Sequence, residues 1–273
     1  MLWITGANGL VGSTLRAKCK AALHTGREVD ISNRDQVFAF VDQHPEITHI
    51  VNCAAFSQVD AAEVRKEEAY RANVIGPENL ARTGKKLIHL STDYVFSGHL
   101  NRPLTELDPV GPCNYYGQTK LEGEQRALAL SACVIRTSWV FGPGGKNFLS
   151  QFLHTLQTQK ELRLTNDQWS RFTYAPDLAS AILQMLESTG LYHYANTGVA
   201  TKYLFGLAMR EEASLLGFPL ATTSIIPIPG ASFPTPCKRP PYSAFDTTKI
   251  DLPIRPWREA LREFLCAQLP AYS

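Results

Sequence analysis

Residues 2–12 read L-W-I-T-G-A-N-G-L-V-G, an apolar run that breaks into glycines spaced three apart. L-W-I-T (2–5) reads as a buried strand, and the stretch from about Val11 to Ala21 reads as a helix. Gly6, Gly9 and Gly12 therefore fall in and just after the turn between them. Gly6 admits a tight strand-to-helix turn, Gly9 lets a pyrophosphate approach the backbone, and Gly12 lets the helix lie close on the strand. The pyrophosphate would rest on the free N–H groups at the helix start. Alone, a glycine motif is weak, but this one stands in the strand–turn–helix context that a dinucleotide site requires.

Moving outward, short apolar runs alternate with helical patterns through the first half. V-D-I (29–31), T-H-I-V-N-C-A (48–54), K-L-I-H-L-S-T (86–92) and C-V-I-R-T-S-W-V (133–140) read as strands. Residues 33–44, 62–74 and 115–130 read as helices between them. Near-continuous apolar strands alternating with helices predict an α/β fold, a Rossmann-like doubly wound parallel sheet covered on both faces. From about residue 147 the pattern changes. Helices at 148–158, 176–187, 201–216 and 256–268 are separated by short strands at 191–196 and 224–229, and prolines crowd 227–241. The expected division is a dinucleotide-binding domain over 1–146 and a smaller α/β substrate lobe over 147–273, with room for segments of the latter to return to the former. Long loops such as the proline-rich one are often functional.

Composition narrows the classes. The chain has 273 residues, 44% hydrophobic and 19% charged, with a formal net charge of +2, so a large core is available. Lys and Arg are scattered, which argues against a nucleic-acid stripe or a polybasic membrane anchor. The six cysteines are far apart and form no CxxC pair, as expected of reduced thiols in the cytoplasm. A strand begins almost at Met1, leaving no room for a leader peptide, and no run is long or apolar enough to span a bilayer.

The choice of dinucleotide is less marked. An acid about 20 residues after the glycines normally takes the ribose hydroxyls, but H-T-G-R (24–27) occupies that place. Arg27 suits a 2′-phosphate, which would favour NADP, or is an ordinary surface arginine. Asp30 stands closer to the expected adenine edge.

Thr92 ends a strand at the carboxyl edge of the sheet, where open α/β folds bind ligands. Tyr116 and Lys120 are four apart, on one face of a helix. In this order, behind the glycine motif, the three resemble the extended short-chain dehydrogenase/reductase family. S-T-D-Y-V-F (91–96), N-Y-Y-G-Q-T-K-L-E-G-E (114–124) and R-T-S-W-V-F-G (136–142) are similar to the dTDP-4-dehydrorhamnose reductases within it. So are G-K-N-F (145–148), N-D-Q (166–168), V-D-A-A-E (59–63) and the R-P-x-x-S pattern at Arg239, Pro240 and Ser243. The likeness runs nearly end to end.

That resemblance implies NADPH- or NADH-dependent reduction of the C4 ketone of dTDP-4-dehydro-L-rhamnose to dTDP-L-rhamnose. Tyr116 would give the proton to the sugar oxygen. Lys120 would hold the nicotinamide ribose and lower the tyrosine pKa, and Thr92 would bond the carbonyl. Cofactor contacts carry over to Gly6, Asn8, Gly9, Leu10, Val11 and Gly12, with Asp30 and Ile31 flanking the adenine and Cys53, Ala54 and Ala55 along the diphosphate-ribose path. Substrate contacts carry over to Asp93, Tyr94, Trp139, Asn147, Phe148, Gln168 and Arg239. Arginine suits a diphosphate because its fork makes paired charged bonds. Trp139 is either a cover for the hexose or a core side chain. Tyr115 is expected in packing and Asn73 in an indirect role.

Departures from the family pattern are local. D-Q-W-S-R-F-T (167–173) replaces a usual glycine by Ser170 and a usual proline by Phe172, and A-A-F-S (54–57) lacks a tyrosine. Thr14 stands where some members carry a glutamate that helps bind magnesium between subunits, so no metal is expected and a monomer or weak homodimer is. Two other readings share the motifs: a nucleotide-sugar epimerase or dehydratase, and a non-catalytic NADP-binding subunit like that of methionine adenosyltransferase.

Overall fold

Neighbouring residues of the N-terminal strands divide between two buried clusters. Trp3, Ile50, Leu87 and Val134 join one, and Ile4, Val51, Ile88 and Ile135 join the other. Successive side chains of a strand point to opposite faces, so these strands lie in a sheet buried on both sides. The computed structural model describes residues 1–144, 148–222, 224–233 and 235–269. In it β1 (Leu2–Thr5), β2 (Leu23–Thr25), β3 (His49–Asn52), β4 (Lys86–Thr92), β5 (Cys133–Thr137) and the strand Gly190–His193 form one six-stranded sheet. From edge to edge it runs Gly190–His193, β5, β4, β3, β1, β2, every pair parallel. The fold is the expected Rossmann-like α/β fold. The chain steps from β1 outward to β2, then returns to lay β3 on the other side of β1. A crevice opens at that reversal, beyond the carboxyl ends of β1 and β3.

Helices cover both faces. On one, Leu15 of α1 (Leu10–Lys18) meets Leu178 and Ile182 of the helix Ala175–Gln184. On the other, Val37 and Val41 of α2 (Arg34–Gln43) meet Leu80. The Asn33 side chain accepts a bond from the Gln36 N–H at 3.2 Å, satisfying one of the donors that α2 leaves open at its start. A third cluster lies in the C-terminal half. Phe141, Phe172, Phe205, Trp257 and Phe264 are its aromatic members, and Phe172 stacks on Phe205 with centroids 3.9 Å apart. Short strand pairs frame it, among them Glu161–Thr165 with Ser224–Ile228 and Val140–Phe141 with Thr173–Tyr174.

Three expectations are corrected. V-D-I (29–31) is not a strand; parallel pairing with β1 selects Leu23–Thr25, three residues that match Trp3–Thr5. The helix expected over 62–74 is broken into Val59–Ala62, Lys66–Tyr70 and a π-helical turn, Arg71–Ile75, before Gly76–Ala81. The apolar run 133–140 is also divided. β5 stops at Thr137, and Trp139 takes a positive φ of 42°, a left-handed turn that starts a new direction at Val140. Among the described residues no helix is long and apolar enough to cross a membrane.

Candidate active site

The glycine turn is built as the spacing requires. Gly6 has φ +64°, and a Cβ there would lie 2.5 Å from the Ala54 nitrogen at the end of β3. A Cβ on Gly12 would run into the Gly6 carbonyl. The turn and β3 therefore approach as only glycines permit. α1 starts after Gly9 with no side-chain cap, so the first amides, those of Leu10 and Val11, meet no capping oxygen. Bare backbone and uncapped amides at the switch point fit a dinucleotide pyrophosphate. Asn8 is exposed, with its side-chain amide beside Gly26.

The flanking candidates divide. Arg27 is exposed. Asp30 accepts from the Ser32 amide (2.9 Å) and hydroxyl (2.8 Å) and lies 3.6 Å from Arg71, so its carboxylate is partly committed to its own turn. The Ile31 side chain is turned into the core, and its carbonyl accepts from Asn79 at 3.0 Å, which leaves little of it for an adenine. Cys53 is half-buried, and burial pushes its thiol up to about 12. The Ala54 N–H donates to Asn52 Oδ1 at 3.0 Å, and Ala55 is exposed.

Thr92 and Tyr116 meet. The helix Tyr115–Leu128 is capped by Asn114, whose side chain accepts from the Gly117 N–H at 2.7 Å and donates to the Lys238 carbonyl at 2.8 Å. This cap sets Tyr116 in the first turn, where its phenol lies beside the Thr92 hydroxyl and its ring lies edge-on to Tyr94, 5.6 Å between centroids. Burial raises the phenol to about 12; the neighbouring Thr92 hydroxyl opposes that rise, and the Asp93 charge adds to it.

Lys120 departs from expectation. Its ammonium donates to the Leu90 carbonyl at 2.6 Å and stands 3.5 Å from His89 Nε2. It is not among the groups that shift Tyr116. The tyrosine is therefore raised, not lowered, because burial outweighs any nearby cation. Lys120 itself is pulled down to about 8, by burial first, with Glu124 and Cys53 opposing. Sequence reasoning missed what lies behind it. Thr5 donates to Asn52 Oδ1 (2.7 Å), and Asn52 Nδ2 donates to His89 Nδ1 (3.0 Å). That order leaves the proton of a neutral His89 on Nε2, facing Lys120. Burial, then Lys120, hold His89 well below its usual range.

The substrate candidates are also redistributed. Asp93, expected to face the sugar, is 2% exposed and accepts from Thr92 (3.1 Å), Ser170 (3.4 Å) and Ser243 (2.6 Å). Burial raises it to about 6, and those hydroxyls oppose the rise. It stitches the end of β4 to two C-terminal segments. Ser170, one of the departing residues, is part of that stitch; Phe172, the other, is core. Tyr94, Trp139 and Arg239 line one cavity of about 400 Å³, and Trp139 packs edge-on against Phe172 at 4.8 Å. Gln168 and Arg239 line a larger groove of about 750 Å³ with the 113–118 segment and the proline-rich loop. Arg239 pairs with Asp60 at 2.8 Å. Phe148 opens the helix Phe148–Thr158, and Asn147 lies outside the described residues. Lys202 also lines the Trp139 cavity, with its ammonium 5.4 Å from the indole centroid, and no sequence motif marked it.

Asn73 and Tyr115 support the site from behind. Asn73 accepts from the Phe56 N–H (2.9 Å) and donates to the Phe56 carbonyl (3.1 Å) and Thr119 (3.0 Å), tying the loop after β3 to the Tyr116 helix. Tyr115 lies under Lys66, and its amide donates to Glu63 at 2.8 Å.

The chain matches, over residues 1–269, the family model described as the RmlD substrate binding domain. It is 37% identical to the spore coat polysaccharide biosynthesis protein SpsK of Bacillus subtilis strain 168, over 96% of this chain and 95% of that one. It is 36% identical to the dTDP-4-dehydrorhamnose reductase of Aggregatibacter actinomycetemcomitans, over 96% and 97% of the two chains. Among solved structures, the dTDP-4-dehydrorhamnose reductase of Bacillus anthracis in complex with NADP superposes with a TM-score of 0.90 at 30% identity, covering 97% of this chain and 98% of that one.

Proposed function

The chain belongs to the RmlD substrate-binding domain family, and from that premise we propose that it is an NADPH-dependent reductase of dTDP-4-dehydro-L-rhamnose, forming dTDP-L-rhamnose. The observation that carries this reading is the placing of the Tyr116 phenol beside the Thr92 hydroxyl at the carboxyl end of β4, in a chain whose curated relatives include reductases of that ketone.

The residues of the glycine turn would hold the pyrophosphate, Cys53, Ala54 and Ala55 would border its path, and Lys120 would reach the nicotinamide ribose. When bound, the reduced nicotinamide supplies the hydride. The remaining work falls to side chains. A sugar C4 alkoxide is a much stronger base than a phenolate, so Tyr116, held protonated by a pKa of about 12, gives up its proton downhill only once that charge develops. Thr92 has a single hydroxyl proton, now directed to Asp93 at 3.1 Å. To stabilise the alkoxide it turns that proton to the substrate and leaves Asp93 to Ser243 and Ser170. The 147–273 segment would be mainly the substrate lobe.

Loss of reduced-nicotinamide absorbance with dTDP-4-dehydro-L-rhamnose tests this. We expect turnover by the wild type and a kcat lower by about 10²- to 10⁴-fold in Tyr116→Phe. Undiminished turnover in the variant removes Tyr116 as the acid; no turnover by the wild type removes the substrate.

A further inference from the structure

Behind Lys120 runs a chain of buried hydrogen bonds that the reaction steps above do not use. It begins at Ala54, whose backbone N–H donates to the Asn52 side chain at 3.0 Å. A backbone amide only donates, so the atom it meets is the side-chain oxygen, Oδ1. The Thr5 hydroxyl gives the same oxygen a second bond at 2.7 Å. The Asn52 amide is thereby fixed in orientation, and its Nδ2 meets His89 Nδ1 at 3.0 Å. An NH2 group only donates, so Nδ1 is the accepting nitrogen and a neutral His89 carries its proton on Nε2. Thr5 precedes Gly6, and Ala54 lies against it, so the lock is anchored in the strand ends that shape the glycine turn.

His89 Nε2 stands 3.5 Å from the Lys120 nitrogen, the longest link of the chain. Two donors facing each other leave such a gap. His89 is 1% exposed and Lys120 2%, so neither can turn to solvent. An ammonium has no lone pair and is opposed by the imidazole N–H, whereas a neutral amine accepts from it. The imidazole also takes none of the lysine's protons. One goes to the Leu90 carbonyl at 2.6 Å, and the rest are left for a ligand. Burial, the first cause of the lowered pKa of Lys120, acts in the same sense as the imidazole, while Glu124 on its own helix and Cys53 at the end of β3 oppose both. Glu124 is held by Arg136 and Ser91, and Cys53, pushed up to about 12, is a neutral thiol.

We propose that His89 is a positioning residue for Lys120: locked through Asn52 in the Nε2–H tautomer, it presents a donor to the lysine, disfavours the bare ammonium and reserves its protons for the ribose hydroxyls of a bound dinucleotide. Ribose oxygens can accept where the imidazole cannot, so cofactor binding restores the charge. The identity of that ligand rests on the reading of Lys120 given above.

Two NMR measurements on the whole enzyme test this without substrate. With 15N-labelled histidine, and the His89 signals identified by their loss in His89→Gln, the wild type should show the Nε2–H tautomer. Asn52→Asp has no N–H to offer and should convert it to Nδ1–H. With lysine labelled by 13C at Cε, and the Lys120 signal identified by its loss in Lys120→Met, the titration midpoint should lie near 8. It should rise by roughly one unit in His89→Phe, in Asn52→Asp and on saturation of the wild type with NADPH. An Nδ1–H tautomer in the wild type, or a midpoint unmoved in His89→Phe, overturns the proposal. Should His89→Phe not fold, Asn52→Asp decides: a tautomer unchanged there removes the lock. Turnover separates this from the reductase reading. Reduction of the ketone by an enzyme with the Nδ1–H tautomer sinks the role of His89 and keeps the reaction. The expected spectra with no reduction keep the role and sink the reaction.

Discussion

Tyr116 and Lys120 are one helical turn apart, yet burial moves them in opposite senses: the phenol rises to about 12 and the ammonium falls to about 8. Each shift favours the neutral form. At neutral pH the tyrosine keeps its proton, as a donor should, while the lysine is close to losing its charge. The charge of Lys120 is therefore the first lost as pH rises. The pH profile of kcat/KM should show an alkaline limb near pH 8, and Lys120→Arg, which stays charged, should move that limb upward. A limb that stays near 8 in the variant would assign it to another group. The same shift has a stability sign. Between about 8 and 10.5 the unfolded chain holds more protons on this residue than the folded one, so stability rises with pH across that window. Sequence spacing placed the pair on one helix. It could not show that Lys120 would turn to the Leu90 carbonyl, because that acceptor comes from a strand thirty residues earlier.

At the scale of elements, the helix Tyr115–Leu128 is held close against its neighbours by small residues. A Cβ on Gly123 would overlap the carbonyl of Asn73 in the π-helical turn Arg71–Ile75. The extra residue of a π turn pushes a carbonyl out of register, and such turns gather near functional sites. Here the turn carries the asparagine that ties the loop after β3 to the same helix. Gly123→Ala should cost about 1–3 kcal/mol in urea unfolding, the range for overpacking, because the obstacle is backbone and cannot rotate away. A loss below a few tenths would mean that the helix can slide. On the far side, Glu124 pairs with Arg136 of β5 and accepts from Ser91 at 2.7 Å, all three buried. Removing one partner of such a pair costs far more than the pair contributes, so Glu124→Gln should lower stability by about 3–5 kcal/mol in the same assay. The strands were legible because short, near-continuous apolar runs bounded by polar stretches mark a strand buried on both faces. The π turn was not, because K-E-E-A-Y-R-A-N-V satisfies an ordinary helix equally well.

At the scale of the whole molecule, the two halves are joined at Asp93. Its carboxylate takes hydroxyls from Thr92, Ser170 and Ser243, which come from β4 and from two C-terminal segments. With its pKa raised to about 6 from 3.8, the folded protein holds more protons than the unfolded chain between these values, so this residue's contribution falls as pH rises through them. Ser243→Ala removes the shortest of the three bonds. It should cost about 1–3 kcal/mol at neutral pH, where a charged acceptor loses a donor, and less at pH 4, where Asp93 is protonated. Urea unfolding at both values checks this, and an equal loss at both would mean that the carboxylate is not the acceptor that matters. The sequence by itself determined the parallel sheet, the glycine turn and the order Thr92, Tyr116, Lys120, because each is written in local pattern: unbroken apolar runs in the strands, a spacing of three in the turn, four on a helix. Tertiary structure alone decided the rest. Asp93 faces inward because Ser170 and Ser243 reach it from more than seventy residues away. The Gly190–His193 strand returns to the edge of β5 because a parallel edge was open there. Lys202 and Arg239 line one cavity because the fold brings the start of the helix Lys202–Leu215 to the proline-rich loop. None of these has a local signature, since the energy that selects each is shared between parts of the chain that no sequence window contains together.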